Sequence, residues 1–286
     1  MAWGFFLSVY WLPTGPSSGG YANRLTEFAY PPFCAIIYRV DCVRSSSREM
    51  GGLVERRWKA WGKRPFQWTM VACIQFVVLT TIAMVVYPDG SRADPTGRGY
   101  SFFNNFFSEL GLAVTRNGTP NTPSMVLFIT ALTVAGLGLV MFFVAALQFF
   151  WGKRALRVLS ILGSVFGVIS GLCYVGVAWT PADLAAGPHG QFTLWAFQAY
   201  LVAAVFYAIA TLLNRSYPKV YALVYVAFAV LLAGYVWLMM NGPGLDTARG
   251  VMIQATGQKI IVYAAIVCMF IQSHGAARLR ARGFET

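Results

Sequence analysis

The chain has 286 residues, of which 57% are hydrophobic and only 11% are charged, and its mean hydropathy is +0.58. A soluble domain averages about 25% charged residues, so the composition excludes a disordered chain and an ordinary cytosolic enzyme. The formal net charge is +12. We interpret the basic excess as loop charges that set membrane topology and expect no nucleic-acid partner.

Residues 1–66 form a basic extension ahead of the first long apolar segment. Residues 2–11 are apolar but too short to cross a bilayer, and no basic segment precedes them as in a signal peptide. Two interpretations stay open. The extension lies at the membrane interface as a helix, or Met50 is the natural start and the upstream part is poorly ordered.

Residues 67–277 are predicted to form one transmembrane domain, followed by a basic tail over residues 278–286. A bilayer core of about 30 Å needs about 20 apolar residues in a helix. Five segments meet this length: Gln67–Tyr87, Ser124–Phe149, Val158–Trp179, Phe192–Leu213 and Val220–Met240. A sixth segment, from Ile260, is too short alone and must include polar neighbours at one end.

Basic residues distinguish the two sides of these six segments. One side has Arg56, Arg57, Lys59, Lys63, Arg64, Lys153, Arg154, Arg157, Arg215, Lys219, Arg278, Arg280 and Arg282. The other side has Arg92, Arg98, Arg116, Arg249 and Lys259. The positive-inside rule then predicts an all-α protein with six spans and both termini in the cytoplasm. We expect it to reside in the plasma (cytoplasmic) membrane.

The outer loops contain most of the polar side chains of interest. Loop 1 runs from Pro88 to Pro123, and its segment Ser101–Gly111 alternates apolar and polar residues with a helical period. This predicts an amphipathic helix at the outer surface. Its polar face contains Asn104, Asn105, Ser108 and Glu109. A long loop of this kind is often functional, although a simple amphipathic lid also fits the pattern.

Loop 2 lies between the third and fourth segments and contains one acid and one histidine. In one interpretation Asp183 caps a turn and His189 is merely exposed near Gln191. In the other, Asp183 orients the imidazole of His189, which acts as a base. Ser108 would complete a Ser/His/Asp set, but no GxSxG motif surrounds it.

Three polar residues precede or begin the sixth segment. Gln254 and Gln258 share a helix face, and Lys259 follows directly. If the segment begins near Val251, all three lie at membrane depth and face the bundle interior, because unsatisfied polar groups in lipid are costly. If it begins at Ile260, Lys259 reaches the outer interface instead. In the fourth segment, Gln198 is also expected to point inward.

Two overlapping GxxxG steps, at Gly163, Gly167 and Gly171, mark the third segment. They predict that another helix approaches closely, within the bundle or from a protein partner or second copy. The first five segments contain no Asp, Glu, Lys, Arg or His, which argues against an ion-coupled transporter. With one usable histidine on the outer side, we predict neither a metal site nor a cofactor.

The segment Tyr100–Gly111, then Asn121–Ser124 leading into a span, resembles a family of six-span prokaryotic integral membrane proteins of unknown function. Thr180–Asp183 followed by His189 fits the same pattern. That family is distantly similar to the damage-regulated autophagy modulator (DRAM-like) six-span proteins. The resemblance covers residues 65–275 and implies a fold and an outer polar cluster, but no reaction.

Together these patterns predict that the polar face of loop 1, Asp183, His189, Gln254 and Gln258 converge on one outer cavity. Three functions fit such a site. The first is a non-enzymatic protein that binds a membrane lipid or a partner. The second is a membrane-embedded hydrolase or transferase that acts on a lipid headgroup through Asp183 and His189. The third is an accessory subunit of a membrane complex that docks through the third segment.

Overall fold

The computed structural model describes residues 62–283. The predictions for residues 1–61, including the interfacial helix and the start at Met50, lie outside the described residues. Within residues 62–283 there are six long helices and no β-strand. The helices are α1 (Arg64–Val86), α2 (Thr122–Ala146), α3 (Arg154–Trp179), α4 (Ala186–Leu213), α5 (Lys219–Asn241) and α6 (Ala248–Ala281).

Each of the six helices is long and apolar enough to cross a membrane, which confirms the predicted all-α, multi-pass architecture. Proline marks two of the helix starts, at Pro65 of α1 and Pro123 of α2. Proline suits the first turn of a helix because the N–H it lacks has no partner there. A short 3₁₀ helix, Leu147–Phe149, extends α2 at its inner end.

The start of α6 decides between the two interpretations of the sixth segment. The helix begins at Ala248, where the Thr247 hydroxyl oxygen accepts a hydrogen bond from the Gly250 N–H at 3.1 Å. Lys259 therefore lies within the helix and is only 1% exposed. The longer helix is correct, and Lys259 does not reach the interface. At its other end α6 continues to Ala281, beyond the predicted boundary at residue 277.

Loop 1 differs from its predicted helix. Only Phe107–Gly111 is helical, as one short 3₁₀ helix, and a turn precedes it over residues 102–105. Phe102 and Phe103 are exposed, whereas Asn105 and Glu109 are buried. The residues with the helical pattern therefore form a turn followed by a 3₁₀ helix. Asn105 and Glu109 are buried there because their side chains bond to each other inside the loop.

The helices form a closed ring. Each packs against the next along the chain, and α6 returns to pack against α1. α4 is rich in buried alanines, which allow close approach to α3 and α5. Outward-facing valines and leucines on α1, α3 and α5 are left for lipid contact.

The three glycines of α3 pack within this chain. A Cβ built at Gly171 or at Gly136 of α2 would lie 2.6 Å from the carbonyl oxygen of the other glycine. A Cβ at Gly167 would overlap the ring of Phe143, and one at Gly163 would meet Tyr207 of α4. α2 and α4 thus occupy the glycine face. A partner that docked on α3 would have to use a different face.

We expect a reporter protein fused after residue 286 to lie in the cytoplasm. Arg278 and Arg280 lie in the last turn of α6 and Arg282 follows it, and basic residues next to a span stay on the cytoplasmic side. A fluorescent reporter that matures only in the cytoplasm should be bright, and an alkaline phosphatase fusion inactive. An active phosphatase fusion would contradict the predicted orientation.

Candidate functional site

The outer end of the bundle is closed by loop 1, which folds over it as a cap. We call residues 101–121 together with Asp183, Gln258 and Lys259 the outer cap. Its centre is Asn105, which is 0% exposed. The Asn105 amide oxygen accepts from the Ser101 N–H, and its amide nitrogen donates to the Gly90 carbonyl and to Glu109. The side chain thereby holds the loop in its turn.

Glu109 is the second buried polar residue of the outer cap, with 3% exposure. One carboxylate oxygen accepts from the Asn105 amide at 2.9 Å and from the Phe106 N–H at 3.1 Å. The other oxygen lies 3.4 Å from the half-exposed Arg116 guanidinium. Burial raises the pKa of Glu109, and the charge of Arg116 and the two hydrogen bonds offset that rise only in part.

Two consecutive residues of α6 fasten the loop from below. The Gln258 side-chain oxygen accepts from the Phe107 N–H at 2.8 Å. The Lys259 ammonium donates to the Asn105 carbonyl. The ammonium also faces the rings of Tyr100, Phe102 and Phe107, with centroids 5.3 to 5.7 Å away. Aromatic faces attract a cation, which accounts for a lysine that is buried at this depth.

Loop 2 fastens the cap from the side. The Asp183 carboxylate accepts from the backbone N–H groups of Ala113 and Val114 at 3.0 to 3.2 Å. Asn121 and Ser124 at the start of α2 both donate to the Leu110 carbonyl. Loop 1 thus bonds to Asp183, Gln258 and Lys259, whereas His189 and Gln254, which were also expected at this site, bond to other partners.

The candidate catalytic residues are not joined in this way. His189 is buried, and its Nδ1 lies 2.7 Å from the Thr180 carbonyl oxygen. Asp183 is engaged by loop 1 backbone, so each residue of the proposed pair has a different partner. Ser108 is half-buried and faces a cavity below the cap. Among the described residues no hydrogen bond connects Ser108, His189 and Asp183, so the Ser/His/Asp arrangement stays a prediction.

Of the remaining predicted polar residues, Asn104 lies within the cap, and Gln254, Gln198 and Gln191 lie outside its hydrogen-bond network. Gln254 donates to the Leu238 carbonyl at 2.9 Å and so joins α6 to α5. Gln198 is half-buried, 3.9 Å from the Met240 sulfur, and Gln191 is exposed. Asn104 is half-buried and donates to the Ser101 hydroxyl at 3.0 Å.

Beneath the outer cap lies a predominantly apolar cavity, and Ser108 and Gln258, two of the residues predicted to surround an outer cavity, are among those that line it. The cavity has a volume of about 90 Å³. Residues from α1, α2, α3, α4 and α6 line it, and Phe107 and Ser108 of the cap form its outer end. On α6 the lining extends from Gln258 to Met269. These two residues are eleven positions apart, which is about 16 Å along the helix axis at 1.5 Å per residue.

Small side chains create this space. Ala72, Ala135, Gly136 and Ala265 lie along its walls, and Tyr200 of α4 lines its deep part. In a sequence these residues look like any others in an apolar span, so hydropathy cannot reveal the cavity. The sequence analysis missed Tyr200 for the same reason. It also missed Arg116, because the contact of Arg116 with the buried Glu109 depends on how loop 1 folds.

No three His, Cys, Asp or Glu side chains within residues 62–283 are grouped so that they could hold a metal ion. Comparison of the chain with known protein families, with curated proteins and with solved structures finds no match. The resemblance to the six-span family and to DRAM-like proteins therefore stays a prediction. What the fold establishes is an integral multi-pass membrane protein, since six of its helices are long and apolar enough to span a bilayer.

Proposed function

We propose that this protein binds a single hydrocarbon chain of a membrane lipid, inside the bundle and below the outer cap. The observation that carries the proposal is the apolar cavity of about 90 Å³. Apolar cavities of this kind stay dry and bind apolar molecules. We place the protein in the plasma membrane, with the cap on the outer face, from the distribution of its basic residues.

The dimensions favour a chain over a compact ring. At about 10–15 Å³ for each water-sized sphere, the cavity of about 90 Å³ accommodates roughly six to nine such spheres. The residues of α6 that line it extend over about 16 Å at 1.5 Å per helical residue. A narrow tube of that length suits an extended acyl or alkyl chain. Pockets between the helices of a bundle are common ligand sites.

The outer cap supports binding more than catalysis. Asp183 is committed to two loop N–H groups, and the Nδ1 of His189 to a carbonyl oxygen. Glu109 and Asn105 are bonded to each other. These bonds hold a lid over the cavity, and within residues 62–283 Asp183 and His189 bond to separate partners and not to each other. We therefore rank the headgroup enzyme and the accessory subunit below lipid binding.

Ala265→Phe should abolish chain binding. Ala265 lines the cavity on α6, and a phenyl ring there would fill the space that a chain needs. The measurement is the number of lipid molecules that stay bound to the purified protein in native mass spectrometry, after exchange into a detergent with a bulky steroid tail. We expect one retained lipid per wild-type protein, and none for the variant.

Ala227→Phe is the matched control, because Ala227 is exposed on α5, a helix that contributes no residue to the cavity lining. It should retain the lipid as the wild type does. If Ala265→Phe folds normally and still retains the same lipid, the chain lies elsewhere and the proposal is wrong. Should Ala265→Phe fail to fold, Ala135→Phe on the opposite wall provides the same test.

A further inference from the structure

Tyr200 presents an unusual polar group at the deep end of the cavity. Its side chain is 2% exposed, and its hydroxyl makes no hydrogen bond within the described residues. Tyr200 lines the cavity together with Cys73 and Tyr174. A buried hydroxyl without a hydrogen-bond partner destabilises the folded protein, so the presence of a tyrosine rather than a phenylalanine at this position needs an explanation.

The rest of the tyrosine is fixed in place. Its ring packs edge-on against Phe143 of α2, with the centroids 6.1 Å apart, and at a tilt of 56° against Phe228 of α5, with the centroids 4.8 Å apart. By contrast, the hydroxyl of Tyr207, two turns further along α4, lies 2.7 Å from the Ser164 hydroxyl. The hydroxyl of Tyr207 thus has a hydrogen-bond partner inside the protein, whereas the hydroxyl of the cavity-lining Tyr200 has none among the described residues.

On the basis of the proposed function, we infer that the chain bound in the cavity has a neutral oxygen, in a hydroxyl or carbonyl group, at its deep end. That oxygen accepts a hydrogen bond from Tyr200. A carboxylate is excluded at this depth, because burying an unpaired charge is far more costly than burying a neutral group. The residues that line the cavity include neither Lys nor Arg.

Two sources supply such chemistry, namely a fatty alcohol or aldehyde that enters oxygen first, and a lipid whose acyl tail ends in a hydroxyl group. The first is probed with dodecanol against dodecane, and with dodecanoic acid as the charged comparison. The second is probed with methyl 12-hydroxydodecanoate against methyl dodecanoate. Each pair has the same chain length and differs only in the oxygen at one end.

Competition for the retained lipid in native mass spectrometry gives relative affinities for the intact protein. A neutral hydrogen bond contributes about 1 kcal/mol, which corresponds to roughly fivefold tighter binding at 1.4 kcal/mol per tenfold. We expect at least one oxygenated probe to bind about fivefold more tightly than its partner, and dodecanoic acid to bind more weakly than dodecanol. Which pair shows the preference identifies the source.

Tyr200→Phe should remove this preference and leave affinity for dodecane unchanged or higher. Tyr235→Phe, on α5 outside the cavity, should keep it. Equal affinities within both pairs for the wild type, or a preference that persists in Tyr200→Phe, would overturn the inference while leaving chain binding intact. A failure of every probe to compete, together with normal lipid retention by Ala265→Phe, would instead overturn the proposed function.

Discussion

Replacing Asn105 with aspartate should destabilise the protein by about 3 kcal/mol, because it removes a buried donor and places a second carboxylate against Glu109. The amide of Asn105 is 2.9 Å from Glu109 and also donates to the Gly90 carbonyl. Both acceptors would lose their donor. The free energy of unfolding is measured by titrating the protein in mild-detergent micelles with sodium dodecyl sulfate.

The neighbouring residue offers a matched control for Asn105→Asp. Asn104 is half-buried and bonds only to the Ser101 hydroxyl, so Asn104→Asp should cost less than about 0.5 kcal/mol. The loss in Asn105→Asp should also shrink as the pH falls. Two carboxylates in one buried site raise the pKa of one of them, and the protonated form regains an O–H donor. A loss of stability that is equal for both variants would mean that Asn105 does not organise the cap.

Gly167→Leu should destabilise the bundle by about 1–3 kcal/mol through overpacking. Gly167 faces the ring of Phe143, which leaves no room even for a Cβ. Because Phe143 is itself fully buried, the ring cannot move without separating α2 from α3. The same denaturant titration gives the change in unfolding free energy.

Gly234→Leu provides the comparison for Gly167→Leu. Gly234 lies within α5 like Gly167 within α3, but nothing lies within 4 Å of a Cβ built there. Leucine also has a higher helix propensity than glycine, by up to about 1 kcal/mol, so Gly234→Leu should be neutral or slightly stabilising. If both variants behave alike, the glycines of α3 face lipid and the packing described above is wrong.

The membrane spans could be predicted because the bilayer imposes a length and a composition that a single sequence displays. Five helices lie close to their predicted segments for this reason. The sixth could not be assigned uniquely, since Gln254, Gln258 and Lys259 interrupt its apolar pattern. Their burial depends on partners in loop 1 and α5, and hydropathy along one helix contains no information about them.

The candidate site was only partly predictable for a related reason. The outer polar residues could be identified from their position in loop 1 and α6, and five of them do meet in the cap. Their pairing could not be read from spacing. Asp183 bonds to the backbone N–H groups of Ala113 and Val114, 70 and 69 residues away. Because these are backbone groups, the residue types at positions 113 and 114 give no indication of the contact. An outer cavity was predicted, but its apolar walls were not, because the small side chains that form them look like any others in an apolar span.

The bond between loop 1 and α6 also sets the order in which the protein can be completed during synthesis. Phe107 and Gln258 are 151 residues apart in the chain. At about 5–20 residues per second, the ribosome adds that length in roughly 8 to 30 s. During that interval loop 1 has already been translocated, whereas Gln258 and Lys259, which bond to it, have not yet been synthesised. Until its last helix enters the membrane, the nascent protein therefore holds loop 1 only through Asp183 and the start of α2, and a chain truncated after α5 would never form the bonds to Gln258 and Lys259.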